Sequence, residues 1–507
     1  MEILREDFLK YVDEIRRCLL SIQPHLQTDK AIDEVDCIDR ILCLFEAEHD
    51  YRADNYPSIN AQLEEIIALL EPSLDQGKLP AMASVIAQLD SADWKNPDQR
   101  LLALRKLFQH HIPDIAEVAE LGNGNAREAL MRMLSFETRQ LDCIHQRRQA
   151  FYVLDSDKCN ESGSNIEDGT LSRSALEGYL RSVFSKESSL RVDDIQNIPG
   201  GRSKETTLIT LQGTHSLPGR IVMRSDVEGG LVPSYTVDEY AVIKAVDRWG
   251  EVPVPSPLHC ETDKSLLGRT FMLMEAVTGS TKGEYFPELL GRLQPEADMD
   301  KQEVGRQLAR ILARLHRMPR SELRGTHLEK DVNIRELVTQ TIESTYQQAR
   351  SFDLPSRIHI EMAYQWLNRN LDLAEDDLCL IHCDIGLHNM LVEGSRITAL
   401  LDWELACLAS PAREIAKIIH LIDFLMPRQG FLEAYREAGG AKSACDPERL
   451  NFYAIMNYMV TNQRARYANH LFFTGQRSNI VMAHAGYDSC YRSTALLSNM
   501  LKGVYNL

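Results

Sequence analysis

The chain has 507 residues, of which 44% are hydrophobic and 26% charged, and a formal net charge of -18. Its length exceeds what one hydrophobic core organises, so two or three units are expected; no apolar run is long enough to span a bilayer, which argues against membrane insertion. The acid excess argues against nucleic-acid backbones as the main partner, and eleven cysteines scattered from Cys18 to Cys490 without a CxxC pair argue against a disulfide framework or a zinc site.

In chain order, Met1 to Lys10 carries Glu2, Glu6 and Asp7, the wrong charge for a secretory leader, so a cytoplasmic location is expected. From Arg5 to about Arg148 apolar residues recur at helical spacing: Phe8, Val12, Ile15 and Leu19, then Ile32, Val35, Ile38, Ile41 and Leu42. Pro24, Pro57, Pro72 and Pro80 fall where helix breaks are expected. Residues 1–155 therefore read as an all-helical domain with no nucleophile or metal constellation, suited to packing, a protein partner or self-association. Cys37, Cys43, Cys379 and Cys407 read as small buried apolar residues.

The polar stretch from Asp155 to Asn165, without periodicity, marks a linker over 156–170. Short β-like runs follow at Thr206 to Leu211 and Arg220 to Arg224, then a helix from Val237 to Trp249 and an apolar run from Thr270 to Val277. Strands first and helices afterwards predict an α+β arrangement, with a sheet-rich lobe at 171–277 and a helical lobe at 278–507. On the helix that follows, Arg306, Arg310, Arg314 and Arg317 lie opposite Val304, Leu308, Ile311 and Leu315. They form a basic stripe that reads as a solvated face or a contact for an anionic substrate or partner.

The most informative segment runs from Leu380 to Glu404. It holds His382, Asp384 and Asn389 in the spacing H-x-D-x-x-x-x-N, then a Gly-Ser turn at Gly394 and Ser395, then a second apolar run ending in Asp402. Two strands joined by that turn would bring Asn389 and Asp402 together, with Asp384 in the preceding loop. Phosphoryl transfer requires one carboxylate near the acceptor hydroxyl and oxygen ligands for Mg²⁺.

His382 to Asn389 and Leu400 to Glu404 resemble the catalytic and metal-binding motifs of the aminoglycoside phosphotransferase and choline kinase superfamily. The resemblance implies a bilobal protein-kinase-like fold behind the all-helical domain, with ATP as donor and Mg²⁺ as cofactor. It implies Asp384 as the catalytic carboxylate, His382 as the brace of its loop, and Asn389 and Asp402 as metal ligands. Upstream, Gly200, Gly201 and Ser203 would cradle phosphate oxygens, Arg224 would stand where classical members carry a lysine, and Glu239 would be its partner. Backbone groups of Glu275 and Val277 would face adenine at the hinge. Cys383 replaces the usual glycine, and Ser410 and Glu414 stand where aspartates are common; Ser410 before Pro411 reads as a helix N-cap.

The segments from Gly229 to Val246 and from His382 to Asn389 resemble the phosphotransferases that accompany acyl-CoA dehydrogenases. That resemblance implies a hydroxyacyl-CoA or related hydroxylated metabolite as acceptor, with an antibiotic or aminoalcohol as the alternative. A catalytically silent kinase-like scaffold is the reading from another class. The intact His382, Asp384, Asn389 and Asp402 set argues against it.

Overall fold

Phe8 and Val12 lie outside the described residues; from residue 29 on, the apolar periodicity of the first third is realised as four helices in a computed structural model. It describes residues 15–16, 19, 29–77, 79–91, 97–152, 172–198, 204–226, 235–281, 299–351, 358–374, 377–473 and 480–505. The helices are α1 (Asp29–Asp75), α2 (Pro80–Ser91), α3 (Pro97–Glu120) and α4 (Gly124–Tyr152). Contrary to the expectation of breaks, α1 runs through both Pro57 and Pro72. An interior proline costs a helix about 3 kcal/mol. Ile59, Leu63, Ile66 and Leu70 are nevertheless all buried at helical spacing, and each contributes about 1.5–3 kcal/mol by burial, which offsets that cost. Pro80 does begin a helix. Pro24, the segment 156–170 and the side chains of Cys37 and Cys43 lie outside the described residues, whereas Cys379 is buried and Cys407 half-buried.

After α5 (Arg173–Val183), capped by Ser172, the chain builds an antiparallel sheet. Its strands are β1 (Arg191–Ile198), β2 (Lys204–Gln212) and β3 (Arg220–Asp226), then, after α6 (Thr236–Trp249), β4 (Pro257–Glu261) and, after α7 (Lys264–Leu267), β5 (Phe271–Glu275). Their spatial order is β1-β2-β3-β5-β4. Alternation divides the sheet into two faces. Ile209, Leu211, Ile221, Met223, Phe271 and Leu273 pack with Leu176 and Leu180 of α5, while Met272 and Met274 join Val242, Ile243 and Val246 of α6 in the main core. The strands expected at 206–211 and 220–224 and the helix at 237–249 lie within β2, β3 and α6. β1 carries no such signal in the sequence: in Arg191–Ile198 a single residue is fully buried and a bulge interrupts the register between Val192 and Asp194.

The helical lobe comprises α8 (Lys301–Leu315), α9 (Ile334–Ser351) and α10 (Ile358–Arg369), followed by the short strands β6 (Cys379–Ile381), β7 (Met390–Glu393), β8 (Arg396–Leu400) and β9 (Cys407–Ala409). It is completed by α11 (Pro411–Lys417), α12 (Ile419–Leu425), α13 (Arg428–Glu437), α14 (Pro447–Phe473) and α15 (Ile480–Tyr505). The fold is α+β, a sheet-rich lobe and a helical lobe in the kinase-like order, behind a region that is helical among the described residues. The buried core of the N-terminal helices is continuous with that of the helical lobe. Tyr491 of α15 donates to the Leu141 carbonyl, Lys502 pairs with Asp142 at 3.2 Å, and Arg369 pairs with Glu120 at 2.8 Å. On α8 the apolar stripe is buried as expected. Of the opposite stripe, Arg306 pairs with Glu303 at 3.0 Å, and Arg310, Arg314 and Arg317 line a surface cavity of about 420 Å³ with Glu251 and Glu437. Acids interleave the arginines, as on a solvated face.

Candidate active site

The hairpin read from the sequence positions the centre of the site. β7 and β8 pair antiparallel with Met390 opposite Leu400, across a turn in which Gly394 takes φ 57, a conformation open to glycine at no steric cost. The Leu401 N–H donates to the Asn389 carbonyl at 2.8 Å, so Asn389 and Asp402 leave the same end of the hairpin. The Asn389 amide donates to the Asp384 carbonyl at 2.8 Å and to its Oδ2 at 3.0 Å. Its NH₂ end is thereby engaged, and the amide oxygen is the end of a type that holds a hard cation. Asp402 sits at φ 65 and ψ 69. A non-glycine residue in this region carries strain of about 1–3 kcal/mol, a cost that concentrates at functional positions.

Asp384 is held from behind. His382 is fully buried, and its Nε2 lies 2.8 Å from the Leu401 carbonyl, which only accepts; the proton is therefore on Nε2. Nδ1 is left to accept the Asp384 N–H at 3.2 Å. Trp403 packs against the imidazole with ring centroids 4.5 Å apart. The Glu414 carboxylate accepts the His382 N–H at 2.6 Å and the Cys383 N–H at 2.8 Å, one on each oxygen. Burial opposes its charge, but the nearby His316 and His382 and those amide donors outweigh it and hold the carboxyl below its ordinary range. Glu414 stands on α11, whose first turn is capped by Ser410 accepting from Ala412 N–H at 3.1 Å, as the Ser-Pro pair implies. Cys383, with φ 64, shows why glycine is usual at that position. Burial also works against the Asp384 carboxylate, yet the facing His388 and Lys417 hold it ionised, with a pKa of about 2.

The sheet contributes the cations. Arg224 on β3 points its Nη1 at Glu239 Oε1 of α6, 2.8 Å away, and its Nη2 at Asp402 Oδ1, 3.1 Å away. The guanidinium fork thus spans the carboxylate expected as its partner and a hairpin carboxylate, one nitrogen to each. Burial alone would depress its pKa; Glu239 and Asp402 raise it above the usual arginine value. Lys204, at the start of β2, is a site residue that sequence reasoning misses. Its fully buried Nζ lies 3.2 Å from Glu239 Oε2, 3.3 Å from Asp226 Oδ1 and 3.1 Å from Thr236 Oγ1. The one signal that could have found it is a lysine next to the Gly-Gly turn. Glu414 is legible in the sequence only as a residue standing where an aspartate is common, not as a clamp, and the position of Lys417, whose Nζ lies 4.0 Å from Asp384 Oδ1, carries no signal, since it depends on a helix about thirty residues downstream.

The remaining sequence candidates divide. Gly200, Gly201 and Ser203 lie outside the described residues. The Glu275 N–H is taken by the Ser256 carbonyl at 2.9 Å, so at Glu275 the N–H faces the neighbouring strand rather than a hinge ligand. The following segment pairs onward, Ser280 with Val392, and Val277 stands between the two.

Among the described residues no cluster of three or more His, Cys, Asp or Glu side chains is placed to hold a metal. Mg²⁺ does not need one: it is held through one or two protein oxygens, completed by phosphate and water. Around Arg224 and Lys204 stand four carboxylates, Asp226, Glu239, Asp402 and Glu404. Two cations against four anions leave a deficit that a divalent cation offsets. Asp402 Oδ1 is buried and, though close to the guanidinium, makes no aligned hydrogen bond; Arg224 Nε is likewise unsatisfied. The residues present fit Mg²⁺. No helix among the described residues is long and apolar enough to cross a membrane.

Residues 194–453 match the model of the phosphotransferase enzyme family. A similar protein is acyl-CoA dehydrogenase family member 10 of Mus musculus, 28% identical over 246 residues, covering 48% of this chain and 21% of that protein. Acyl-CoA dehydrogenase family member 11 of Homo sapiens is 30% identical over 202 residues, covering 38% and 24%. The chain thus spans less than a quarter of these relatives' lengths. Among solved structures, macrolide 2'-phosphotransferase MphH from Brachybacterium faecium superposes with a TM-score of 0.42 at 18% identity, covering 63% of this chain and 97% of that one.

Proposed function

The chain belongs to the phosphotransferase enzyme family, and on that premise we propose that it is an ATP-dependent small-molecule kinase. It transfers the γ-phosphoryl group to a hydroxyl of an acyl-CoA thioester or a related hydroxylated metabolite. The observation that carries this reading is the convergence of Asp384, Asn389 and Asp402 at one end of the hairpin, with the Arg224 fork 3.1 Å from Asp402.

Asp384 orients the acceptor hydroxyl and takes its proton as the bond to phosphorus forms. An ionised carboxylate with a low pKa is a weak base, so orientation is the larger part of its work. His382 and Glu414 fix the loop that carries it. Asn389 and Asp402 would hold Mg²⁺, which when bound neutralises charge on the phosphates. Arg224 orients Asp402 through one arm and is itself held by Glu239 through the other. Gly200, Gly201 and Ser203 would cradle the phosphates, and the backbone at Val277, with the Glu275 carbonyl rather than its engaged N–H, would receive adenine. The acceptor class is supported by the likeness to proteins named acyl-CoA dehydrogenases.

The test is ADP release with Mg-ATP across a panel of hydroxyacyl-CoA thioesters, with free hydroxy acids, aminoglycosides and aminoalcohols alongside. Release stimulated by the thioesters supports the reading. Stimulation by an aminoglycoside or aminoalcohol alone would replace the acceptor class, and calorimetry without Mg-ATP binding would remove the kinase assignment.

A further inference from the structure

Lys417 is the last residue of α11, three positions after Glu414. Residues three apart share a helix face, and Glu414 is clamped to the amides of His382 and Cys383, so the same face carries Lys417 to the catalytic loop. Its Nζ lies 4.0 Å from Asp384 Oδ1 and 3.9 Å from Cys383 Sγ, and its side chain is 12% exposed. The two oxygens of Asp384 therefore face different groups. Oδ2 accepts from Asn389 at 3.0 Å, on the side of the hairpin, with His388 Nε2 at 3.9 Å. Oδ1 faces the ammonium.

A lysine beside a carboxylate that must accept a proton weakens it as a base, so assistance to Asp384 does not explain the pairing. The separation offers a better account. At 4.0 Å the pair is attracted but too far apart for a direct hydrogen bond, which needs about 2.7–3.2 Å. An oxygen of an incoming group can be contacted by the ammonium while the carboxylate keeps the hydroxyl. In phosphoryl transfer, negative charge is spread over the equatorial oxygens of the moving group, and fixed cations aimed at them are the principal source of acceleration.

We propose that Lys417 is a catalytic residue that binds the phosphoryl group in transit, on the side of Asp384 opposite Asn389. The inference rests on the phosphotransferase reading above. In the step it serves, the acceptor oxygen forms a bond to the γ-phosphorus and the bond from that phosphorus to the β-phosphate bridging oxygen breaks. ADP leaves with the electron pair, and the hydroxyl proton passes to Asp384. Lys417 keeps its proton throughout and, from its place beside Asp384 Oδ1 and Cys383 Sγ, contacts an equatorial oxygen.

The experiment compares the full chain with Lys417→Met, which keeps length without charge, and with Lys417→Arg. The dissociation constant of Mg-ADP is measured with and without aluminium fluoride, which mimics the phosphoryl group in transit and requires no acceptor. Wild type should bind Mg-ADP more tightly in the presence of aluminium fluoride. The Met variant should bind Mg-ADP alone as wild type does and lose about a hundredfold of that tightening, and the Arg variant should retain part of it. Equal tightening in wild type and Lys417→Met overturns the inference while leaving the phosphotransferase reading intact. Wild type that fails to bind Mg-ADP overturns both. A Met variant that loses Mg-ADP binding itself makes Lys417 a structural residue and also overturns the inference.

Discussion

Replacing Glu414 by glutamine tests whether the catalytic loop is held by one buried carboxylate. Glu414 receives the amides of His382 and Cys383 at 2.6 and 2.8 Å, and it is fully buried. Glutamine offers one oxygen and one NH₂, so one of the two amides meets a donor and stays unpaired. A hydrogen bond to a charged group is worth about 1.5–3 kcal/mol, and a buried unpaired N–H costs about 1–3 kcal/mol. These are two views of the same lost bond, so the local penalty is about 3 kcal/mol rather than their sum. An opening equilibrium shifted by about 3 kcal/mol is about a hundredfold. Amide hydrogen exchange followed by mass spectrometry should therefore show residues 380–384 exchanging about a hundredfold faster in Glu414→Gln, with the sheet lobe unchanged. Turnover should fall while Mg-ATP affinity holds, because the loop carries Asp384 and not the nucleotide cations. Unaltered exchange in that segment would refute the clamp and with it the explanation of how Asp384 is positioned.

Two further outcomes follow from other parts of the molecule. Asp402→Asn removes a formal charge from the group that balances Arg224, so the dependence of ATP affinity on Mg²⁺ concentration should flatten and turnover should fall with it; titration at several Mg²⁺ concentrations checks this. In the sheet lobe, Glu187 is held at a pKa of about 2 against 4.5 by the Ser216 hydroxyl and the amides of His215, Ser216 and Leu217. Because its folded value is depressed, its contribution is complete above pH 4.5 and falls away as pH drops toward 2. The difference in urea stability between wild type and Glu187→Gln should therefore narrow from about pH 5 to about pH 3.

How much of the site is legible in the sequence depends on how far apart the cooperating residues stand. His382, Asp384, Asn389 and Asp402 fall within one hairpin whose strands, turn and spacing are local, so their convergence can be read from the order of residues alone. Arg224 and Glu239 are legible as a strand residue followed by a helix residue, but the second arm of the arginine, to Asp402, requires the two lobes to meet. Lys204, Glu414 and Lys417 act through contacts set by packing: Lys204 is marked only by its place beside the Gly-Gly turn, Glu414 only by standing where an aspartate is common, and Lys417 by no local pattern. The prolines of α1 mislead because a proline is a local penalty, whereas the buried row Ile59, Leu63, Ile66 and Leu70 stabilises the helix over several turns. β1 escapes notice because its side chains do not alternate cleanly between a buried and an exposed face.

The most direct measurement is single-turnover transfer of labelled γ-phosphate from Mg-ATP to a hydroxyacyl-CoA thioester, comparing wild type with Asp384→Asn and titrating Mg-ATP against both. The account predicts that the asparagine variant binds Mg-ATP about as wild type does and transfers the label about a hundredfold more slowly or worse, as expected when a positioned proton acceptor is lost. Transfer by Asp384→Asn at the wild-type rate would contradict the assignment of the catalytic loop, and with it the central claim.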